Sequence, residues 1–249
     1  PKSNLTEKEK NGSLPGIKLP SGFQINYFAE NVPGARSMTV SPETGIVYVG
    51  TRGEGKIYAL IDSDNDKVAD KTVVIDEDLN SPNGVAWYQG DLYVAEISQV
   101  NKYTNIDQTY QDKPEPTLVN DQFPSDQSHG WKYIAFGPDD KLYVPVGAPC
   151  NICNSQDPIY AAIHRMDSDG SNLERFAYGI RNTVGFDWHP ESGNLWFTDN
   201  GRDRMGDNRP RDELNKAEES GLNFGYPFCH GKDIKDPEFS QDVDCSQYQ

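Results

Sequence analysis

The strongest constraint on the fold is a pattern that recurs four times along the chain. Each copy has a short apolar strand, a turn rich in Pro, Gly or Asp, and a second apolar strand centred on an aromatic residue. These aromatic residues are Tyr48, Tyr93, Tyr143 and Trp196, spaced 45, 50 and 53 residues apart. Such a period is typical of a propeller blade, a four-stranded sheet. We therefore predict an all-β protein of the β-propeller type with about four blades.

The equivalent hairpins are predicted at residues 38–49, 85–94, 134–144 and 186–197. If the first strand of each hairpin is the innermost of its blade, the loops that enter these strands line the central channel. Those loops hold Arg36, residues 82–84, residues 128–130, and Arg181 with Asn182. Helical periodicity is almost absent, apart from an expected turn near residues 212–219.

The domain boundaries follow from composition. Residues 1–20 are polar and predict an arm on the surface, whereas residues 21–249 carry the repeat and predict the propeller domain. An all-β chain of this length often forms one domain. Four blades are a tight count for a closed ring, so we expect that the propeller lacks its C-terminal blades and is part of a larger one.

The charge balance limits the partners. Lys and Arg number 23 against 39 for Asp and Glu, giving a net charge of −16. This surplus of negative charge argues against binding nucleic acid or anionic membranes. It suits a periplasmic or secreted protein, and a basic electron-transfer partner. No apolar run reaches the roughly 18 residues that a transmembrane helix requires, so no transmembrane segment is predicted.

The four cysteines form two local pairs, Cys150 with Cys153 and Cys229 with Cys245. An even count in a chain of exported character favours two disulfides. A four-cysteine zinc site and a redox-active pair are the alternatives.

An acidic loop places Asp62, Asp64, Asp66 and Asp70 at positions 1, 3, 5 and 9. Calcium takes six to eight oxygen ligands, and this spacing can direct alternate carboxylates inward. The loop departs from an EF-hand, since Lys67 stands where that motif has Gly. We predict a structural calcium site between blades, remote from any chemistry. The alternative is a solvated acidic turn.

The hairpin at residues 186–197 brings several polar groups to one end. Arg181 and Asn182 stand before its first strand, and residues 200–202 follow its second strand. Because the strands are predicted to be antiparallel, a guanidinium, a carboxamide and loop carbonyls should meet there. The plainer alternative is an arginine paired with a surface aspartate.

A second candidate is His129, directly before the third inner strand. Its unperturbed pKa lies near neutrality, which suits proton abstraction. One histidine among four is weak evidence alone, since His164, His189 and His230 have equally plain settings.

These residues carry a resemblance to a known family. Residues 129–144 resemble the segment of the soluble glucose/sorbosone dehydrogenases that holds their catalytic histidine. Residues 178–182, 199–202, 212–215 and 221–227 resemble the next blade of that family in order and spacing. The similarity covers roughly residues 20–235. That family has a six-bladed propeller that holds pyrroloquinoline quinone (PQQ) and Ca²⁺ over the channel and oxidises aldoses or similar alcohols.

The resemblance implies roles for individual residues. His129 would be the general base that takes the hydroxyl proton, and Arg181 would stabilise negative charge on the quinone. Asn182 and Asn200 would hold cofactor carboxylates or carbonyls. The backbone carbonyls of Gly201 and Arg202 would hold the cofactor calcium. The substrate would be a small sugar or alcohol, and the electron acceptor a cytochrome or a quinone.

Three departures from the family pattern bear on the substrate. Pro82 and Val184 stand where the glucose enzymes carry glutamines, and residues 146–148 lack the aspartate that orients their histidine. These changes favour the sorbosone or general aldose branch over glucose specificity.

Two further functions remain open. A metal-dependent lactonase-type propeller hydrolase fits residues 82–87 and 90–94, but it would not require Arg181 with His129. A non-catalytic, calcium-stabilised binding propeller is the third possibility.

Overall fold

The computed structural model describes residues 16–240 and 243–249. The first sheet contains β1 (Ala35–Val40), β2 (Val47–Thr51), β3 (Ile57–Ile61) and β4 (Lys71–Asp76). The second contains β5 (Gly84–Tyr88), β6 (Asp91–Ala95), β7 (Val100–Tyr103) and β8 (Thr117–Asn120), with the short helix α1 (Ile106–Thr109) after β7. The third contains β9 (Ala135–Phe136), β10 (Leu142–Val146), β11 (Ala162–Met166) and β12 (Glu174–Tyr178).

The fourth sheet contains β13 (Phe186–Trp188), β14 (Leu195–Asp199) and β15 (Glu213–Ala217). After it, β16 (Leu222–Asn223) returns to pair in parallel with β12, and β17 (Cys229–His230) pairs with β18 (Ile234–Lys235). A 3-10 helix, Cys245–Gln247, ends the described chain. No helix among the described residues is long and apolar enough to cross a membrane.

The first four sheets are consecutive propeller blades, which confirms the predicted all-β fold. In each blade, sequential strands pair antiparallel with their chain neighbours. The first strands lie next to one another, since β1 contacts β5 and β5 contacts β9. They are therefore the innermost strands.

The four repeat aromatics occupy equivalent positions. Each lies on the second strand of its blade, directly opposite a residue of the innermost strand: Tyr48 opposite Thr39, Tyr93 opposite Ala86, Tyr143 opposite Ala135, and Trp196 opposite Asp187. The spacing of 45 to 53 residues thus measures one blade.

Three apolar clusters of the core lie between consecutive blades. Side chains alternate between the two faces of a strand, so each blade can pack one face on the blade before it and the other on the blade after it. Tyr48 joins blades 1 and 2, Tyr93 joins blades 2 and 3, and Tyr143 joins blades 3 and 4. The exposed fractions of these tyrosines are only 0%, 2% and 3%.

Two blade faces each expose a pair of apolar side chains; we call them the open faces. On blade 4, Trp196 is 37% and Leu214 is 66% exposed, and on blade 1, Met38 is 62% and Val40 is 54% exposed. Within the described residues, no sheet packs on either face. A segment that includes Phe28 packs on part of the blade 1 face, against the cluster around Val49.

The structure places several segments differently from the sequence prediction. Residues 212–219 hold strand β15 rather than a helical turn, because this segment pairs with β14. The acidic loop lies inside blade 1, between β3 and β4, and not between blades. Arg36 belongs to β1 itself. Of the predicted arm, residues 16–20 are exposed, and residues 1–15 lie outside the described region.

Candidate functional site

His129 stands on the loop that enters the innermost strand of blade 3. Its backbone φ is +51°, a region that costs energy for a residue with a side chain. Its Nδ1 lies 2.8 Å from the carbonyl oxygen of Ala148. A carbonyl can only accept, so Nδ1 carries the proton and Nε2 keeps its lone pair. Partial burial lowers the pKa of His129, with a smaller contribution from the nearby Arg181 charge.

The segment Gly147–Ala148 joins His129 to Arg181 of the next blade. The backbone N–H of Ala148 donates to the carbonyl of Arg181 at 2.8 Å. A Cβ added at Gly147 would lie 2.5 Å from Cβ of His129 and 3.2 Å from the carbonyl oxygen of Arg181. Only glycine allows this close approach. The structure thus places side by side the two residues to which the family resemblance assigns proton abstraction and charge stabilisation.

Arg181 is 5% exposed, and its guanidinium donates to three oxygens. Nε and Nη2 bond the carbonyl and Oδ1 of Asn151, at 2.8 and 2.9 Å, and Nη1 bonds the carbonyl of Asn200 at 3.0 Å. The nearest carboxylate oxygen, of Asp203, lies 3.7 Å away on a side chain that is 80% exposed. The expected alternative, an arginine paired with a surface aspartate, is therefore the weaker contact.

The buried carboxylate of Asp199 holds the loop that presents Arg181. It accepts from the backbone N–H groups of Arg181 at 3.0 Å and of Asn182 at 2.7 Å. Burial raises the pKa of Asp199 to about 7, opposed by these two hydrogen bonds.

Both predicted cysteine pairs are disulfides in the structure, with Cα–Cα distances of 6.2 Å for Cys150–Cys153 and 5.7 Å for Cys229–Cys245. No cysteine among the described residues is free. This pairing excludes the four-cysteine zinc site. The hydroxyl of Tyr226 accepts from the backbone N–H of Cys153 at 3.1 Å, which ties the first disulfide to the segment after β16.

The remaining predicted residues lie at the same end of blade 4. Asn182 is buried, its backbone carbonyl accepts from the Asn200 N–H at 3.1 Å, and its carboxamide forms no hydrogen bond within the described chain. The side chain of Arg202 points to the fold rather than to a ligand, since it bonds Asp236 and Glu238 at 2.8 Å each. The carbonyls of Gly201 and Arg202 accept no hydrogen bond from the described residues.

Unpartnered polar atoms mark the same loops. Besides an oxygen of the acidic loop, three buried side-chain atoms lack a hydrogen-bond partner within the described chain: Asn83 Oδ1, Trp131 Nε1 and Thr183 Oγ1. Each lies on the loop that enters the innermost strand of blade 2, 3 or 4. Buried polar groups are normally satisfied, so such atoms indicate a place where a polar ligand or an ordered water completes the site. Together with Arg181, His129 and the carbonyls after β14, they fit an anionic cofactor with a cation.

Several residues of this site were not predicted. Asn151 stands between two cysteines and belongs to no polar motif, and Ala148 acts through its backbone, which has no sequence signature. Arg52 stacks on the ring of Trp131 at 3.4 Å, beside His129. Lys132 is 1% exposed, and its Nζ donates to the carbonyls of Ile97 and Gly130.

The acidic loop of blade 1 brings three of the four predicted carboxylates together. One oxygen each from Asp62, Asp64 and Asp70 lies within 4.8 Å of the others, and Asp66 is not part of this group. Oδ1 of Asp62 is buried and without a partner. Each of the four carboxylates also accepts from a backbone N–H of the same loop, Asp66 from that of Val68 at 2.8 Å.

Fold and site together define a β-propeller with a histidine and an arginine from adjacent blades at one end of its innermost strands. The chain belongs to the TrAA12-like family, whose sequence model matches residues 17–242. A relative from Borreliella burgdorferi, an uncharacterized protein, is 28% identical over 233 residues, which is 90% of this chain and 59% of the relative. The chain therefore spans about three fifths of the length of that relative.

The fold is also similar to that of solved structures. The calcium structure of a Trichoderma reesei enzyme of carbohydrate-active enzyme family AA12 has a TM-score of 0.74 and 19% identity, over 88% of this chain and 67% of that chain. The holo form of the PQQ domain of pyranose dehydrogenase from Coprinopsis cinerea has a TM-score of 0.70 and 16% identity, over 91% and 61%.

Proposed function

We propose that this protein is a PQQ- and calcium-dependent oxidoreductase that oxidises an aldose sugar or a related alcohol. The observation that carries the proposal is the meeting of His129 and Arg181 across Gly147–Ala148. Membership of the TrAA12-like family and the fold shared with a PQQ domain support it. The changes at Pro82 and in residues 146–148 favour the sorbosone or general aldose branch.

His129 is the proposed general base. Its Nδ1–H donates to the Ala148 carbonyl, so the ring is oriented without the aspartate that the glucose enzymes use, and Nε2 can take a proton from a hydroxyl. Because the pKa of His129 is lowered, the base stays neutral below its usual titration range. We expect kcat/KM to fall only when the pH drops below about 6.5, the ordinary value for histidine.

Arg181 is the proposed anion-binding group. A guanidinium has five N–H donors, and three are used here, which leaves one on each terminal nitrogen. Asn182 and Asn200 supply further polar groups, and the carbonyls of Gly201 and Arg202 suit calcium, which prefers oxygen ligands. When bound, PQQ would accept the hydride from the carbinol carbon, and the calcium would polarise its carbonyl.

The test is to titrate the protein with PQQ and Ca²⁺, follow the absorbance, and measure dye reduction with a panel of aldoses. His129→Ala should lower turnover by roughly two to four powers of ten while PQQ still binds. His189→Ala is the matched control, because His189 lies on the exposed turn between β13 and β14. Wild-type turnover in His129→Ala would show that another group is the base. Hydrolysis of lactones without PQQ would favour the lactonase instead.

We also propose a structural calcium at Asp62, Asp64 and Asp70. The grouping of their oxygens and the unpartnered Oδ1 of Asp62 support it. A cation there would remove the repulsion among the carboxylates.

We propose the cellular compartment from the disulfides and the electron acceptor from the net charge. Two disulfides fit an oxidising compartment, the periplasm or the exterior of the cell. The net charge of −16 would attract a basic electron acceptor such as a cytochrome, with a quinone as the other acceptor considered.

A further inference from the structure

The disulfide Cys150–Cys153 closes a four-residue loop whose second residue, Asn151, contacts Arg181 twice. The backbone carbonyl of Asn151 accepts from Nε at 2.8 Å, and its Oδ1 accepts from Nη2 at 2.9 Å. Two adjacent donors of the planar guanidinium are therefore met by one residue. Such a paired contact fixes the orientation of the group as well as its position.

The carboxamide of Asn151 is held at both ends. Oδ1 also accepts from the backbone N–H of Asp203 at 2.8 Å, and Nδ2 donates to the Asp203 carbonyl at 3.2 Å. On the other side of the loop, the Tyr226 hydroxyl accepts from the Cys153 N–H. The loop is thus fixed by the disulfide, by Tyr226 and by the segment after β14.

The partners that orient Arg181 are neutral. Asn151 and the Asn200 carbonyl hold the guanidinium by hydrogen bonds, while the Asp203 carboxylate stays at 3.7 Å and largely in solvent. A close carboxylate would cancel the positive charge. Neutral acceptors instead orient the guanidinium and leave its charge to attract an anionic ligand.

We propose that Asn151, carried by the Cys150–Cys153 loop, is the positioning residue of Arg181. Its significance for affinity rests on the function proposed above. A free arginine side chain loses considerable rotamer freedom when it is immobilised. Because Asn151 immobilises Arg181 beforehand, an anionic ligand binds without that loss.

The first measurement uses the protein without cofactor. In ¹⁵N-labelled wild-type protein, hindered rotation about the Nε–Cζ bond of Arg181 should give separate Nη signals, identified by their absence in Arg181→Lys. In Asn151→Ala these signals should merge, because Nη2 loses its acceptor. Asn154→Ala is the matched control, since Asn154 is exposed just outside the same loop and its side chain forms no hydrogen bond within the described chain. Separate signals that persist in Asn151→Ala would overturn the proposal.

The second measurement is the dissociation constant of PQQ. Asn151→Ala should weaken binding by about tenfold to a hundredfold, the effect of a lost hydrogen bond to a charged group. The melting temperature of Asn151→Ala should stay near that of the wild-type protein. Asn154→Ala should bind PQQ with a dissociation constant near the wild-type value. The variant Cys150→Ala/Cys153→Ala, which opens the loop, should weaken binding at least as much.

The two measurements separate two kinds of failure. If the Nη signals merge in Asn151→Ala but the wild-type protein binds no PQQ, the positioning role stands and the proposed function fails. If PQQ binds equally well to wild type and Asn151→Ala, Asn151 does not position Arg181 for this ligand and the proposal is wrong.

Discussion

At the scale of single residues, Gly147 decides how closely two blades approach. It lies between His129 and the carbonyl of Arg181, and its lack of a side chain permits contacts that no other residue would allow. The requirement is one of space, since its φ is not in the left-handed region.

Gly147→Ala should therefore destabilise the protein by about 1–3 kcal/mol, the usual cost of inserting a methyl group into a packed site. Gly185→Ala is the control, because a Cβ at Gly185 meets no atom within 4 Å. Urea unfolding of both variants measures the difference. Equal free energies of unfolding for the two variants would contradict the close approach.

Lys132 shows a second effect of burial on a single residue. Desolvation lowers the pKa of its amine to about 8. The carbonyls of Ile97 and Gly130 offset part of this cost, since they favour the charged form. The unfolded chain thus binds more protons than the folded one between pH 8 and the ordinary lysine value of about 10.5.

The stability contributed by this site should therefore rise with pH across that window. Relative to Lys132→Met, the wild-type free energy of unfolding should increase by up to roughly 3 kcal/mol between pH 8 and pH 10.5. Denaturant titrations of both proteins at several pH values provide the check. Parallel pH profiles would show that the amine titrates normally.

At the scale of elements, the blades could be predicted because their signal is local and repeated. Alternating side chains and turn residues specify each hairpin, and the spacing of Tyr48, Tyr93 and Tyr143 specifies the repeat. Strand β15 was missed because its residues are mostly polar, and it is a strand through its pairing with β14. Tertiary pairing overrides local preference there.

Only the parts of the site that are formed by side chains could be predicted from the sequence. His129, Arg181 and the paired cysteines have characteristic chemistry that a sequence displays. The acceptor for His129 is a backbone carbonyl, and Asn151 reaches Arg181 from another blade. Neither contact has a sequence signature, because every residue has a carbonyl and the contact depends on how the blades stack.

The acidic loop that connects β3 and β4 leads to a prediction about calcium and thermal stability. Added Ca²⁺ should raise the melting temperature of the wild-type protein, since a ligand that binds only the folded state stabilises it, by about 2.7 kcal/mol at a hundredfold excess over Kd. Asp64→Asn should abolish most of this effect because Asp64 belongs to the carboxylate group. Asp66→Asn is the control and should keep it. The same calcium response in Asp64→Asn would rule out this loop as the site.

At the scale of the whole molecule, the open faces predict association. Apolar side chains that share one exposed sheet face favour contact with another apolar surface. Sedimentation velocity at micromolar and higher concentrations should show self-association, and Leu214→Glu should reduce it. Leu118→Glu is the control, because Leu118 is 53% exposed but lies on β8, the last strand of blade 2. Equal self-association of Leu214→Glu and Leu118→Glu would show that the blade 4 face is not involved.

Trp196 also gives the protein an optical reporter. Of the four tryptophans it is the exposed one, whereas Trp87, Trp131 and Trp188 are half-buried. Its indole should emit at long wavelength and be quenched readily by acrylamide. Any surface that covers the blade 4 face would shift this emission to the blue and protect it from quenching. A change in the native tryptophan fluorescence would therefore report when that face finds a partner.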